Sequence, residues 1–419
     1  MSDFYQHSEI DTYHLLKHNP GIKKELKNYE GKIHLVLPSL YDEIKTEALQ
    51  GIRERLPEID YIDTLVLVLN GPKTGPNGEK METNKRDFDE FREFFSGLPY
   101  ESRIVWDRSE GIINFYESLK GKELSFGEQG KGKAVHLGNG YALGTDASII
   151  AHHDCDILTY DPKIVDRLVY PAAFLGKDFC KGFYGRYKER LFGRVERIFV
   201  TPFIHVLLEM VDVTSIPKAH AFLRFLGDIR YKLTGENAET ASYSMKKNIP
   251  WDWALEIGEL ADAYKKCGPN NICQSEILKG PYEHKHQKLT PGDTTTGLGK
   301  MATDIGKRLI RDLVRKYRVV LTDAHFRTIR EAYIEKAHGM VHSYEGDAKI
   351  NGIPFNIHEE KSMVHTFVKS LEDAERVFQA NLGKDTSISS WERIISADPD
   401  ALNKLVDTVE KDNKAPRMI

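Results

Sequence analysis

Residues 149–157, Ile149-Ile150-Ala151-His152-His153-Asp154-Cys155-Asp156-Ile157, decide how this chain reads. Ile149 to His152 is a short apolar run of the kind that forms a buried strand, and it ends in two carboxylates separated by one residue. Acids just past the C-terminal end of a strand stand where open α/β sheets take their ligands. Two that converge can hold a hard cation, which in turn bridges diphosphate oxygens. A capping and turn cluster has the same composition, so the flanking segments carry the decision.

Upstream, strands and helices alternate. Ile33–Leu37 is an apolar run stopped by Pro38, and a helix is expected from Asp42 to about Leu56. Leu65–Leu69 follows and ends at Asn70-Gly71-Pro72, and Lys73 to Arg86 reads as a loop. Phe88–Phe95 and Arg103–Trp106 form a third helix and strand pair. Alternation of this kind predicts a parallel α/β sheet. Gly127–Gly132 opens a helix at Lys133–Leu143, and downstream lie a strand at Phe179–Tyr184 and an apolar helix at Glu196–Val211. The first 30 residues read as a polar helical arm. From Thr290 a turn-rich link leads to helical patterns at Leu298–Tyr317, Asp323–Lys336 and Ser362–Leu382. Three parts are expected: an arm over 1–30, an α/β domain over 31–289 and a helical extension over 290–419, packed on that domain or on a partner subunit.

The whole chain has 419 residues, 40% hydrophobic and 29% charged, which excludes a disordered or collagen-like polymer. With 59 Lys plus Arg against 63 Asp plus Glu, the net charge of −4 argues against a dedicated nucleic-acid binder. The N-terminus has no basic and apolar leader pattern and no stretch is apolar enough to cross a membrane, so the expected location is the cytoplasm. The four cysteines fit neither a disulfide framework nor a zinc spacing and are expected to be free thiols.

Three further clusters bear chemistry. Gly130-Lys131-Gly132-Lys133-Ala134 frees the backbone before a helix and adds lysines, a pattern that cradles phosphate, although it lacks the spacing of a nucleotide triphosphatase loop. Gly193-Arg194-Val195-Glu196-Arg197 offers a guanidinium beside a glycine turn, suited to carboxylate or phosphate. Tyr282-Glu283-His284-Lys285-His286 supplies two imidazoles, either of which can ligate a metal. Taken singly, each also fits a solvated surface cluster.

The order of these pieces, with Leu37-Pro38-Ser39-Leu40-Tyr41-Asp42-Glu43 first and Leu233-Thr234-Gly235-Glu236-Asn237-Ala238 and Ala254-Leu255-Glu256-Ile257-Gly258 between Gly193-Arg194-Val195 and His284, resembles the glucosyl-3-phosphoglycerate synthase family. Asp3-Phe4-Tyr5-Gln6 also looks like the start of its longer members. The resemblance, over about residues 30–290, implies a retaining glycosyltransferase of the GT-A fold: a Rossmann-like nucleotide-sugar-binding sheet flanked by helices. It implies a nucleoside diphosphate glucose donor and D-3-phosphoglycerate as acceptor. By the same resemblance Pro38, Leu40 and Glu43 line the nucleoside and Lys131 contacts the donor phosphates. Asp154 and Asp156 with His284 hold Mg²⁺ or Mn²⁺, Gly193 and Arg194 bind the acceptor, and Glu256 lies near the transferred sugar. A homodimer is expected as well. Three positions depart from the family: Glu196 where a small hydroxyl residue is usual, Asn237 for an aromatic and Trp253 for a tyrosine. Glu196 beside an acceptor phosphate requires a neutralising partner, Arg194 or Arg197. GDP-mannose with the same fold, another small anionic acceptor, or a nucleotide-sugar-binding module without turnover are the alternatives.

Overall fold

A computed structural model describes residues 6, 9–75, 77–211, 214–284, 290–380 and 386–417. Its centre is a sheet of eight strands: β1 (Asp11–Tyr13), β2 (Lys32–Ser39), β3 (Thr64–Leu69), β4 (Glu101–Trp106), β5 (Ala147–His152), β6 (Phe179–Phe183), β7 (Asn237–Thr240) and β8 (Ile272–Glu276). They lie in the order β1-β8-β6-β7-β5-β2-β3-β4, and only β7 runs antiparallel to its neighbours. The apolar runs of β2 and β3 are covered on both faces, and β3 is buried along its whole length. From β2 the chain builds outward through β3 and β4, then returns on the other side with β5. The C-terminal ends of β2 and β5 therefore meet at a topological switch point, which sets residues 38–43 beside residues 153–156.

The helices that position the site are α1 (Lys131–Gly144), α2 (Thr201–Met210), α3 (Leu255–Lys266), α4 (Gly297–Tyr317), α5 (Asp323–Ile350), α6 (Ile357–Ala380) and α7 (Ala401–Lys414). The expected continuous helix from Glu196 begins instead with a π-helical turn, Glu196–Val200. Pro202 explains the change, because it has no N–H for the carbonyl of Ile198. Tyr333 on α5 fills that gap, donating its hydroxyl to the Ile198 carbonyl at 2.7 Å.

The N-terminal segment keeps its expected helical form at Gly21–Leu26 and departs from it before that. Residues 11–13 form an edge strand parallel to β8, and Thr12 is buried where Gln274 donates to its hydroxyl at 3.0 Å. Three residues are too few to show a period-2 pattern. The loop at Lys73 to Arg86 contains a short antiparallel pairing of Lys73–Thr74 with Lys80–Met81.

Residues 290–380 and 386–417 lie against the sheet-bearing part. Helices α4, α5 and α6 share one apolar core with Phe199, Phe203 and Phe222. The chain then returns to the sheet. Trp391 stacks on His136 of α1 with ring centroids 4.6 Å apart, and a Cβ on Gly140 would lie 2.0 Å from the indole, so this helix face must be glycine. Asn413 of α7 accepts from Ile104 N at 3.0 Å and donates to Ile104 O at 2.8 Å, which covers part of the open edge of β4. All four cysteines are free, and among the described residues no helix is long and apolar enough to cross a membrane.

Burial pushes the imidazoles of His136 and His152 down to about 3 and that of His34 down to about 4. Between those values and about 6.5 the unfolded chain binds protons that the folded one refuses, so stability falls as pH drops through that window. Denaturation from pH 7 to pH 5 is expected to show a loss of about 1.4 kcal/mol per imidazole per unit below 6.5. Substituting glutamine at His136 is expected to flatten that slope.

Candidate active site

All ten candidate residues open onto one cleft of about 1110 Å³ at the switch point. Pro38, Leu40 and Glu43 enter from the loop after β2. Leu40 is exposed to the cleft, and Glu43 sits in a short 3₁₀ turn, Tyr41–Lys45, with its side chain buried.

The acid pair and the histidine are joined by the backbone. Ile157 and His284 form an antiparallel bridge, and Leu158 N donates to Glu283 O at 2.8 Å. That pairing brings His284 Nδ1 within 2.9 Å of Asp156 Oδ1. Asp154, His284 and Glu236 place ligand atoms within 4.8 Å of one another. Glu236, not among the expected ligands, is fully buried, and its Oε2 accepts from Tyr184 at 3.0 Å and from Thr234. Its Oε1 is buried without a hydrogen-bond partner. Carboxylate oxygens and one imidazole fit a hard or borderline divalent cation, and an orphaned carboxylate oxygen at this point is what such an ion would satisfy.

Gly235 precedes Glu236 because nothing larger fits. A Cβ there would lie 2.5 Å from Asp154 Oδ1. Gly235→Ala is expected to displace Asp154 and reduce turnover about tenfold or more, with a weaker apparent affinity for the cation, measured by metal titration of activity.

Lys131, the first residue of α1, reaches Asp154 Oδ1 at 2.6 Å and Glu256 Oε1 at 3.1 Å. Burial disfavours the ammonium, but the two carboxylates outweigh it and hold its pKa well above the usual lysine value. Burial raises the Asp154 pKa, yet Lys131 and His284 outweigh it and bring it below the usual value. Glu256, in the first turn of α3, is raised, with burial as the main cause. Beneath them His152 is held between Asn139 at 2.7 Å and Asn237 at 3.0 Å, and Asn139 donates to Glu239 at 2.9 Å. Of the positions that depart from the family, Asn237 thus serves this buried layer, while Trp253 is exposed on the cleft wall.

Gly193, at φ 71°, makes a turn that only glycine adopts readily, and its carbonyl accepts from Arg197 N at 2.9 Å as the helix begins. Arg194 lines the cleft, but its guanidinium is held by Glu360 and Glu359 of α6, each at 2.6 Å. Glu196 is neutralised by Lys232 at 3.0 Å and by neither arginine, which corrects the expected pairing. The chemistry of Glu196 was legible. Its partner lies 36 residues away on a different segment. Glu236, Lys232, Glu359 and Glu360 were missed for that reason, although Glu236 stands inside a segment singled out for the resemblance. His286 and residues 3–5 lie outside the described residues.

No family model matches the sequence. Two curated relatives align over nearly their full length. Glucosyl-3-phosphoglycerate synthase of Persephonella marina is 32% identical over 420 residues, 99% of each chain. The protein of that name from Methanococcoides burtonii is 30% identical over 425 residues, 98% of each chain. Among solved structures, glucosyl-3-phosphoglycerate synthase from Mycobacterium tuberculosis, in complex with Mn²⁺, UDP-glucose and phosphoglyceric acid, superposes with a TM-score of 0.50 at 20% identity, covering 75% of this chain and 90% of that one. Mannosyl-3-phosphoglycerate synthase from Rubrobacter xylanophilus gives a TM-score of 0.50 at 18% identity, over 74% of this chain and 83% of that one. The structural likenesses establish the fold as GT-A type.

Proposed function

The chain belongs to the glucosyl-3-phosphoglycerate synthase family, and from that premise we propose that it moves glucose from a nucleoside diphosphate glucose to D-3-phosphoglycerate, giving glucosyl-3-phosphoglycerate with retention at the anomeric carbon. The observation that carries the reading is the convergence of Asp154, Asp156, His284, Lys131, Glu256 and the 193–194 turn on one cleft.

In this reading Pro38, Leu40 and Glu43 line the nucleoside, and Lys131 takes the donor phosphates in place of its present carboxylate partners. Asp154, Asp156 and His284 would hold Mg²⁺ or Mn²⁺, with Glu236 as a further ligand or support. The cation's chemistry, when bound, is to neutralise charge on the departing diphosphate. The C1–oxygen bond to the diphosphate breaks, the acceptor hydroxyl oxygen bonds to C1 on the same face, and its proton goes to a diphosphate oxygen. Charge grows on the leaving group during this step, so the Lys131 ammonium stabilises the transition state more than the ground state. No protein base is required, and Glu256 positions sugar and acceptor. The Gly193–Arg194 turn bounds the acceptor end. The working unit in this reading is a cytoplasmic homodimer, to be checked by mass in solution.

A donor panel tests the proposal: UDP-, GDP- and ADP-glucose and GDP-mannose, each with 3-phosphoglycerate and with Mg²⁺ or Mn²⁺. A glucosyl product with at least one nucleoside diphosphate glucose is expected. A mannosyl product alone would replace the donor assignment, and no product with any donor would contradict the transferase reading.

A further inference from the structure

We propose that residues 386–391, after α6, form a strap that holds the glycine-rich loop before Lys131 in place for the donor phosphates, with Ser389 as its main positioning residue. The assignment rests on the reading of the cleft given above. Residues 125–130 include Gly127 and Gly130 and lead straight into α1, whose first residue is Lys131. Glycines let a loop bring its backbone close to a phosphate, and for the same reason they do not hold it there, because ordering them costs the most backbone entropy. The anchors therefore lie elsewhere in the chain. At the start of the loop Ser389 N donates to Ser125 O at 2.8 Å, and Ser389 Oγ accepts from Ser125 N at 3.0 Å. Ser389 O lies 3.1 Å from Nε2 of His136 on α1, and the Trp391 indole donates to His136 O at 3.0 Å. One short segment thus fixes both the entry to the loop and the helix it opens. On the sheet side the loop has a further tie, from Gln129 to Asp107 at 2.9 Å.

The same segment carries the floor on which the loop rests. Ser387–Ile388 pair antiparallel with Ile249–Pro250, and Trp251 N donates to Thr386 O at 3.1 Å. Against that floor the loop has no room for side chains: a Cβ on Gly132 would lie 2.0 Å from Pro250 O, and one on Gly127 would lie 2.5 Å from the Trp251 indole. The strap is fastened in turn to α4, where Arg311 Nη2 donates to Thr386 Oγ1 at 2.9 Å and Arg308 Nη1 to Ser387 Oγ at 3.1 Å. A continuous path of hydrogen bonds and close packing therefore runs from α4 through the strap and the 249–251 floor to the loop that presents Lys131. The helical extension serves the transfer reaction by this route: it sets where the ammonium and the loop amides stand, without itself touching the diphosphate.

The test compares full-length Ser389→Ala with wild type in steady-state kinetics and in amide hydrogen exchange. Loss of the bond to Ser125 N predicts a rise of about fivefold in KM for the nucleotide sugar, with KM for 3-phosphoglycerate within about twofold of wild type. Exchange at residues 125–131 is expected to quicken by about the same factor, while strands β2 and β5 exchange as before. Lower stability with both KM values unchanged would make the strap a structural tie only and overturn the assignment, and so would equal rises in both KM values. Unchanged exchange at residues 125–131 would overturn the assignment alone. Wild-type protein that gives no product with any donor would instead overturn the functional reading, and this assignment with it.

Discussion

Asp156→Ala is expected to lower kcat by about a thousandfold or more while leaving the protein folded. The side chain is a third exposed, so its removal opens no core cavity. It carries one of the carboxylates assigned to the cation, and it accepts from His284 Nδ1 at 2.9 Å. That bond sets which imidazole edge faces Tyr184, whose hydroxyl lies 3.1 Å from Nε2. In the proposed assignment, alanine would remove one ligand and the orienting contact of a second in one step. The measurement is kcat over a titration of Mg²⁺ and Mn²⁺, alongside thermal unfolding. Full activity at ordinary metal concentrations would contradict the metal assignment.

The second large effect is on stability. Lys247 is fully buried, with Glu239 at 2.7 Å and Glu259 at 2.9 Å, both themselves buried. Burial alone would neutralise all three groups. The two carboxylates overcome it at Lys247 and raise the ammonium's pKa above its usual value, and Lys247 and Lys181 overcome it at Glu259 and lower the carboxyl. At Glu239 burial prevails and raises the carboxyl. Lys247→Met keeps most of the volume but leaves two acids without their shared cation, one of them linked through Asn139 to His152. Such a break costs about 3–5 kcal/mol. Chemical denaturation at pH 7 measures it. A loss under about 1 kcal/mol would mean that the cluster is not held by charge. Activity should fall as well, because His152 ends the strand that leads into Asp154.

Elements marked by neighbouring residues are legible in the sequence, and those set by distant contacts are not. The unbroken apolar runs of β2, β3 and β5 mark strands buried on both faces, and the acids after β5 mark the ligand end of the sheet, since each signal is local. Strand β7 was not legible. Asn237-Ala238-Glu239-Thr240 is polar in sequence, and its burial depends on Lys247, Asn139 and His152, up to 100 residues away. Arg194 shows the same limit at the site. Its chemistry suggests an anion, and the first anions it meets are two carboxylates from a helix 165 and 166 residues further on.

The most direct test of the proposed activity is the structure of the product formed from a nucleoside diphosphate α-glucose, 3-phosphoglycerate and Mg²⁺ or Mn²⁺, determined by mass and by the NMR coupling at the anomeric carbon. The expected product is 3-phosphoglycerate carrying one α-linked glucose. A β-linked product would contradict retention, and intact 3-phosphoglycerate with every donor and both metals would contradict the assignment of this cleft as a glucosyl transfer site.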